Sequence, residues 1–172
     1  MLLRAIDALC AAGAILAALS AAALALILIL EVLATSFLNW SQPWAVEYAI
    51  YLQCFVLMLG SGWSLRQGGH IRVSVLLQAL PRRAAAVLDQ AATAFALGVS
   101  GFASYALWAQ WARTYDFGST SFYPMGTPLW IPQGLLAAGV TLLALALLAR
   151  FLRLLGGQQP DLASGIGGGG HE

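Results

Sequence analysis

The chain has 172 residues, of which 60% are hydrophobic and only 9% are charged, with a formal net charge of +1. A soluble domain carries about 25% charged residues, so this chain has too few charges to cover a water-exposed surface and reads as one compact membrane domain. All 8 basic residues are arginine. Without lysine there is no Walker A phosphate loop, and the small net charge with no basic, aromatic-laced stripe gives no sign of nucleic-acid binding. Cys10 and Cys54 lie in separate apolar runs, so neither a disulfide framework nor a zinc site is indicated.

A helix needs about 20 mostly apolar residues to cross the hydrocarbon core, and four segments qualify. The first runs from Ala8 to Leu30 and stays apolar past Glu31 to Leu38. It is longer than the roughly 7–15 residues of a signal-peptide core, and Leu30-Glu31-Val32 is no cleavage site, so it reads as a retained span. The second is Tyr48 to Leu65. Along it Glu47, Tyr51, Cys54, Met58, Ser61 and Leu65 fall in one narrow stripe at about 100° per residue. Such a polar, small and polarisable stripe suits either another subunit or an ordinary intrachain helix contact. Glu47 stands at the helix N-terminus, where the dipole favours negative charge.

Gly68 and Gly69 then break the helix. Ile71 to Leu80 is apolar, but ten helical residues reach only about 15 Å. With Arg72, Ser74 and Gln78 on it, this stretch is predicted to lie as a short helix on the cytoplasmic surface. Pro81 opens the next element; the third span runs from about Gln90 to Ala112, and the fourth from Leu129 to Ala149. The glycine- and serine-rich tail is expected to be disordered. The expected fold is an all-α membrane protein, with four transmembrane helices plus a short cytoplasmic interfacial helix over residues 1–155 and a disordered cytoplasmic tail over 156–172.

The arginines set the orientation. Arg4 precedes span one, Arg66, Arg72, Arg82 and Arg83 lie between spans two and three, and Arg150 and Arg153 follow span four; only Arg113 sits opposite. Cytoplasmic loops collect such residues, so both termini are expected in the cytoplasm. Trp40, Trp44, Trp108, Trp111 and Trp130 flank the two outer connections, at the headgroup depth that tryptophan prefers.

Independent solute transport needs polar groups near the bilayer midplane. Spans three and four offer chiefly Thr93, Ser100, Ser104 and Thr141, hydroxyls that can bond back to their own helices. Small residues recur at helical spacing, Ala14, Ala18 and Ala22 on span one and Ala94, Gly98 and Gly101 on span three, and permit close helix packing. Glu31 is the exception among the acids. Its apolar stretch is about 46 Å long as a helix, against a hydrocarbon core of ~30 Å, so two registers compete. In one, Glu31 is a midplane proton- or cation-binding carboxylate, as in small autonomous exporters. In the other it is an outer-leaflet acid, hydrated or paired with Arg113, and the Arg4–Asp7 anchor favours this second register. His70 follows two glycines at the interface. A haem bundle would need axial ligands inside the membrane, so no cofactor or metal is expected. Arg66, His70, Arg72, Arg82 and Arg83 are candidates for contact with phospholipid headgroups. No outer-face cysteine pair, intramembrane histidine–serine set or aspartate pair is present, and no enzyme activity is expected.

Trp44 and Glu47 opening the second span, Gly60 within it, Arg66 after it, then Gly69-His70-Ile71-Arg72-Val73 and Leu80-Pro81, form an ordered set. Ser121, Pro128, Leu129-Trp130-Ile131-Pro132 and Gly134 extend it. This set resembles the small, DctQ-like membrane subunit of tripartite ATP-independent periplasmic (TRAP) transporters over roughly Ala8 to Leu155. Two departures are Ser74, where many members carry an acid, and Tyr51, where an arginine is common.

The resemblance implies a division of labour in a bacterial inner membrane. A periplasmic binding protein captures a solute, usually an organic acid, and a large membrane subunit moves it on an ion gradient. The four-helix subunit braces that large subunit. Trp44, Glu47, Gly60, Arg66, His70, Arg72, Trp130 and Pro132 are the matched positions. Glu47 is expected to organise the outer end of the bundle, and Arg66 with Arg72 the cytoplasmic end. Trp44, Glu47, Tyr51, Cys54, Met58, Ser61, Gly60, Trp130 and Pro132 are the structural or subunit-interface candidates. The rival readings are an autonomous proton-coupled exporter using Glu31 and a free-standing structural membrane protein.

Overall fold

The computed structural model describes residues 2–66 and 81–156. The predicted interfacial helix, with His70 and Arg72, and the predicted disordered tail lie outside the described residues.

Among the described residues there are four helices long and apolar enough to cross a membrane. They are α1 (Leu2–Leu38), α2 (Ala45–Arg66), α3 (Arg82–Phe117) and α4 (Trp130–Leu155). The fold class agrees with the expectation, but two boundaries do not. α1 has 37 residues and α3 has 36, so each is about 55 Å long at 1.5 Å per residue. Both overrun a core of ~30 Å, because a helix continues through charged and interfacial residues that no hydropathy threshold counts. α3 begins directly after Pro81, whose backbone is extended at φ −60° and ψ 144°. Proline cannot donate an N–H but fits a helix start.

Two left-handed residues stop the long helices. Asn39, at φ 50°, follows α1. Gly118, at φ 61°, follows α3, with its N–H donating to the Tyr115 carbonyl and that of Ser119 to the Thr114 carbonyl, both at 3.2 Å. This paired closure needs a residue that tolerates positive φ.

The helices do not form a closed square. α1, α2 and α4 pack on one another, while α3 packs on α4 alone among the described helices. Lipid tails are as apolar as leucine, so helices in a membrane associate through close packing and polar contacts rather than through hydrophobic burial. The closest approach is at Gly139 of α4. A Cβ there would stand 2.8 Å from Met58 Cβ and 3.1 Å from the Met58 carbonyl carbon. Gly13 of α1 is similarly tight: a Cβ there would stand 3.0 Å from the Leu59 carbonyl oxygen and 3.3 Å from Leu142 Cδ1. A Cβ on Gly62 would stand 3.3 Å from Cys10 Sγ and 3.5 Å from the Leu142 carbonyl oxygen. Toward the arginine-rich end Ile6, Cys10, Leu65, Ala146, Leu147 and Ala149 form a buried cluster.

The small-residue stripe read on span three behaves differently. A Cβ at Gly98 or at Gly101 would meet nothing within 4 Å. Gly139→Ala is therefore expected to destabilise the bundle by about 1–3 kcal/mol through overpacking. Gly98→Ala should be neutral or slightly stabilising, since alanine is the better helix former. Denaturation of the two variants in detergent micelles checks the contrast.

Candidate functional site

Two carboxylates lie at the end of the bundle where the α1–α2 and α3–α4 connections meet the membrane. Glu31 closes the first connection. Both of its carboxylate oxygens accept from the Gln42 N–H at 3.1 Å, and Oε1 also accepts from the Ser41 hydroxyl at 3.0 Å and the Thr35 hydroxyl at 3.4 Å. These partners sit beside Trp40 and Trp44, so Glu31 stands at the hairpin end of the bundle. Arg113, weighed above as its partner, donates instead to Gln110 Oε1 at 3.2 Å.

Glu47 is fully buried in the first turn of α2. Its Oε1 accepts from the Tyr51 hydroxyl, one turn further on, at 2.8 Å. The α3–α4 connection covers it. There Thr120 and Pro128 form an antiparallel bridge, and the Ser121 N–H donates to the Thr127 carbonyl at 2.9 Å. Gly126, at φ 59°, turns the loop between those arms. Ser121 and Thr127 therefore stand side by side, with their hydroxyls facing the Glu47 carboxylate. Oε2 is buried without a hydrogen bond of standard geometry. One acid on α2 thus holds the loop that joins α3 to α4.

Aromatic rings line the same end. Trp44, Tyr48 and Tyr51 make successive edge contacts at 6.2 and 6.3 Å, and Trp44 Nε1 donates to Gln42 Oε1 at 3.1 Å. On α3, Trp111 stacks on Tyr115 at 5.7 Å, and Tyr115 meets Trp130 edge-on at 5.8 Å. A Cβ on Gly134 would lie 2.9 Å from Trp111 Nε1, so that glycine makes room for the indole.

Deeper in the bundle, α3 and α4 share one polar contact. Thr141 lies 2.8 Å from the Ser104 hydroxyl, accepts from Trp108 Nε1 at 3.0 Å, and donates back to the Ala137 carbonyl at 2.7 Å. At the arginine-rich end, Arg150 binds both carboxylate oxygens of Asp89 at 2.9 Å and reaches Thr93 at 3.3 Å. Arg153 binds both oxygens of Asp7 at 2.8 Å. The first pair fastens α3 to α4, the second α1 to α4.

The predicted site residues are not one cluster. Trp44, Glu47 and Tyr51 join at the hairpin end, and Trp130 belongs to the aromatic group on α3 and α4. Met58 faces Gly139, the Ser61 hydroxyl bonds back to the Met58 carbonyl at 2.7 Å, and a Cβ on Gly60 would make only an ordinary contact with Ala17 Cβ, at 3.6 Å. Cys54 is a half-buried free thiol and Pro132 is buried. Arg66 ends α2, Arg82 starts α3, and Arg83 is exposed. Sequence reasoning missed Asp89 and the pairing of Asp7 with Arg153. A signal existed for the first: Asp89 lies just outside the predicted third span and Arg150 just outside the fourth, at the same end of two antiparallel helices.

The Asp89–Arg150 side chains are 7% and 15% exposed, those of Asp7 and Arg153 25% and 30%. Removing one partner of a buried pair strands the other charge, at a cost of about 3 kcal/mol or more, whereas an exposed pair contributes about 1 kcal/mol or less. Asp89→Asn should therefore lower stability in detergent several times more than Asp7→Asn, which a denaturation series on both variants measures.

The family described as Tripartite ATP-independent periplasmic transporters, DctQ component, matches residues 24–157. No curated protein matches the chain. The match covers α2, α3 and α4 entire and α1 from residue 24 onward. The chain belongs to the DctQ family, the small membrane component of TRAP transporters.

Proposed function

We propose that this chain braces the large membrane component of its transporter, holding it at a fixed depth while that component carries out ion-gradient-driven uptake of an organic acid delivered by a periplasmic binding protein. In this reading the arginine-rich end faces the cytoplasm of a bacterial inner membrane, with both termini on that side. Arg66, His70, Arg72, Arg82 and Arg83 hold anionic headgroups there.

The observation that carries the reading is how four of the five acids in the described helices are used. Glu31 closes the α1–α2 connection, Glu47 holds the α3–α4 loop, Asp7 binds Arg153 and Asp89 binds Arg150. A carrier needs a carboxylate free to bind and release its cargo or coupling ion. Here these four bind their own chain, and the fifth, Asp116, is exposed in the last turn of α3 at the hairpin end, which suits a scaffold whose partner moves the solute. The TRAP system supplies that partner as the large subunit. The same use of Glu31 disfavours the autonomous exporter.

The tests follow from the two ends of the bundle. Glu47→Gln and Arg66→Ala are each expected to reduce recovery of the assembled complex and uptake by whole cells. Wild-type assembly and uptake in both variants would sink the bracing role. Reconstituted alone in liposomes, the chain should move no drug against a proton gradient. Proton-coupled export abolished by Glu31→Gln would establish the rival reading instead.

A further inference from the structure

Gln53 lies on α2 and is exposed, with Ile50 and Leu57 exposed at 45% and 58% on the same face. Its depth can be read from the helices. Trp130 and Arg150 are separated by about 30 Å of α4, the thickness of a hydrocarbon core. Gly139 stands near the middle of that length, and Met58 of α2 packs directly against it. Gln53 is about 7 Å along α2 from Met58 toward the hairpin end. It is therefore inside the hydrocarbon, well short of the headgroups.

A glutamine amide carries two donors and one acceptor. Lipid tails satisfy none of them. Other polar groups in the helices solve this problem locally. The Ser20 hydroxyl bonds back to the Leu16 carbonyl at 2.8 Å, and Thr141 binds across to α3. The Gln53 amide makes no hydrogen bond with any described residue. Its two-methylene stem is too short to lift the amide to the interface, as long arginine and lysine stems do. A lipid-facing helix surface gains nothing from an amide at this depth, whereas amides are common hydrogen-bonding groups between membrane helices.

We propose that the Ile50–Gln53–Leu57 face of α2 is the docking surface for a membrane-spanning helix of the large transporter component, which presents a hydrogen-bonding side chain to the Gln53 amide. The inference rests on the bracing reading, because that reading supplies a membrane partner for this chain. It adds which surface the partner covers and what chemistry it brings. Among the described residues no other helix covers this face, so occupying it disturbs neither the Gly139 contact nor the Glu47 loop.

The test uses the chain co-expressed with the large membrane component of its transporter. A benzoylphenylalanine photoprobe is placed in turn at positions 50, 53 and 57, and the complex is irradiated in membranes. The expected product is a covalent adduct with the large component from each position. In parallel, Gln53→Leu is expected to weaken co-purification of the large component about three- to tenfold, as loss of one interhelical hydrogen bond does. Gln53→Asn should recover part of that loss. The thermal stability of the isolated Gln53→Leu chain in detergent should be unchanged or raised, which separates lost docking from lost folding. If the large component co-purifies with the wild-type chain while the probes label only lipid, or only a second copy of this chain, the docking face is wrong and the bracing role stands. If no large component co-purifies with the wild-type chain, the bracing role fails and the docking face with it.

Discussion

A bilayer withholds the force that folds soluble proteins. Leucine gains nothing by leaving lipid for the surface of another helix, so helices in a membrane hold together only where backbones come close or polar groups meet. In this chain α4 meets all three other helices through such contacts, beside a direct interface between α1 and α2. Gly139 lets α4 settle against Met58 of α2, Leu142 packs over Gly13 of α1, and Thr141 binds Ser104 and Trp108 of α3. Arg150 and Arg153 then tie α4 to α3 and to α1 at the arginine-rich end. α3 joins the bundle only through it among the described helices, while α1 and α2 also pack directly on each other at Gly13 and Gly62.

The two ends of the bundle use different chemistry for the same purpose. At the arginine-rich end, two-pronged ion pairs between helices fix their relative heights. At the hairpin end, single carboxylates hold loops: Glu31 takes backbone and hydroxyl donors from its own connection, and Glu47 is covered by the hydroxyls of a connection between two other helices. A membrane domain fixed at both ends in this way suits a part that stays still beside one that moves.

Hydropathy alone made the four spans legible, because an apolar run of about 20 residues has few other uses. The matching of partners was much less legible. Glu47 stood out as an acid at a helix N-terminus, but only the fold shows that it meets Ser121 and Thr127, far along the chain. Gly60 was singled out, yet Gly139 and Gly13 make the tight crossings. Ala94, Gly98 and Gly101 have a small-residue spacing that implies packing, but both glycines face open space. Spacing along one helix shows which residues share a face; it does not show which neighbour that face meets. Asp89 was overlooked because span boundaries were drawn by hydropathy, which discards charged residues at the ends where ion pairs form.

The attachment of α3 to α4 alone has a consequence for synthesis. The chain enters the membrane from its N-terminus, so α1 and α2 are available to each other as soon as their connection has crossed. α3 arrives next and finds neither surface built to receive it, since its hydroxyl and carboxylate partners are all on the segment still to be translated. It waits in lipid as an independent span until α4 emerges. α4 is thus the span that converts a finished hairpin and a solitary helix into a single domain.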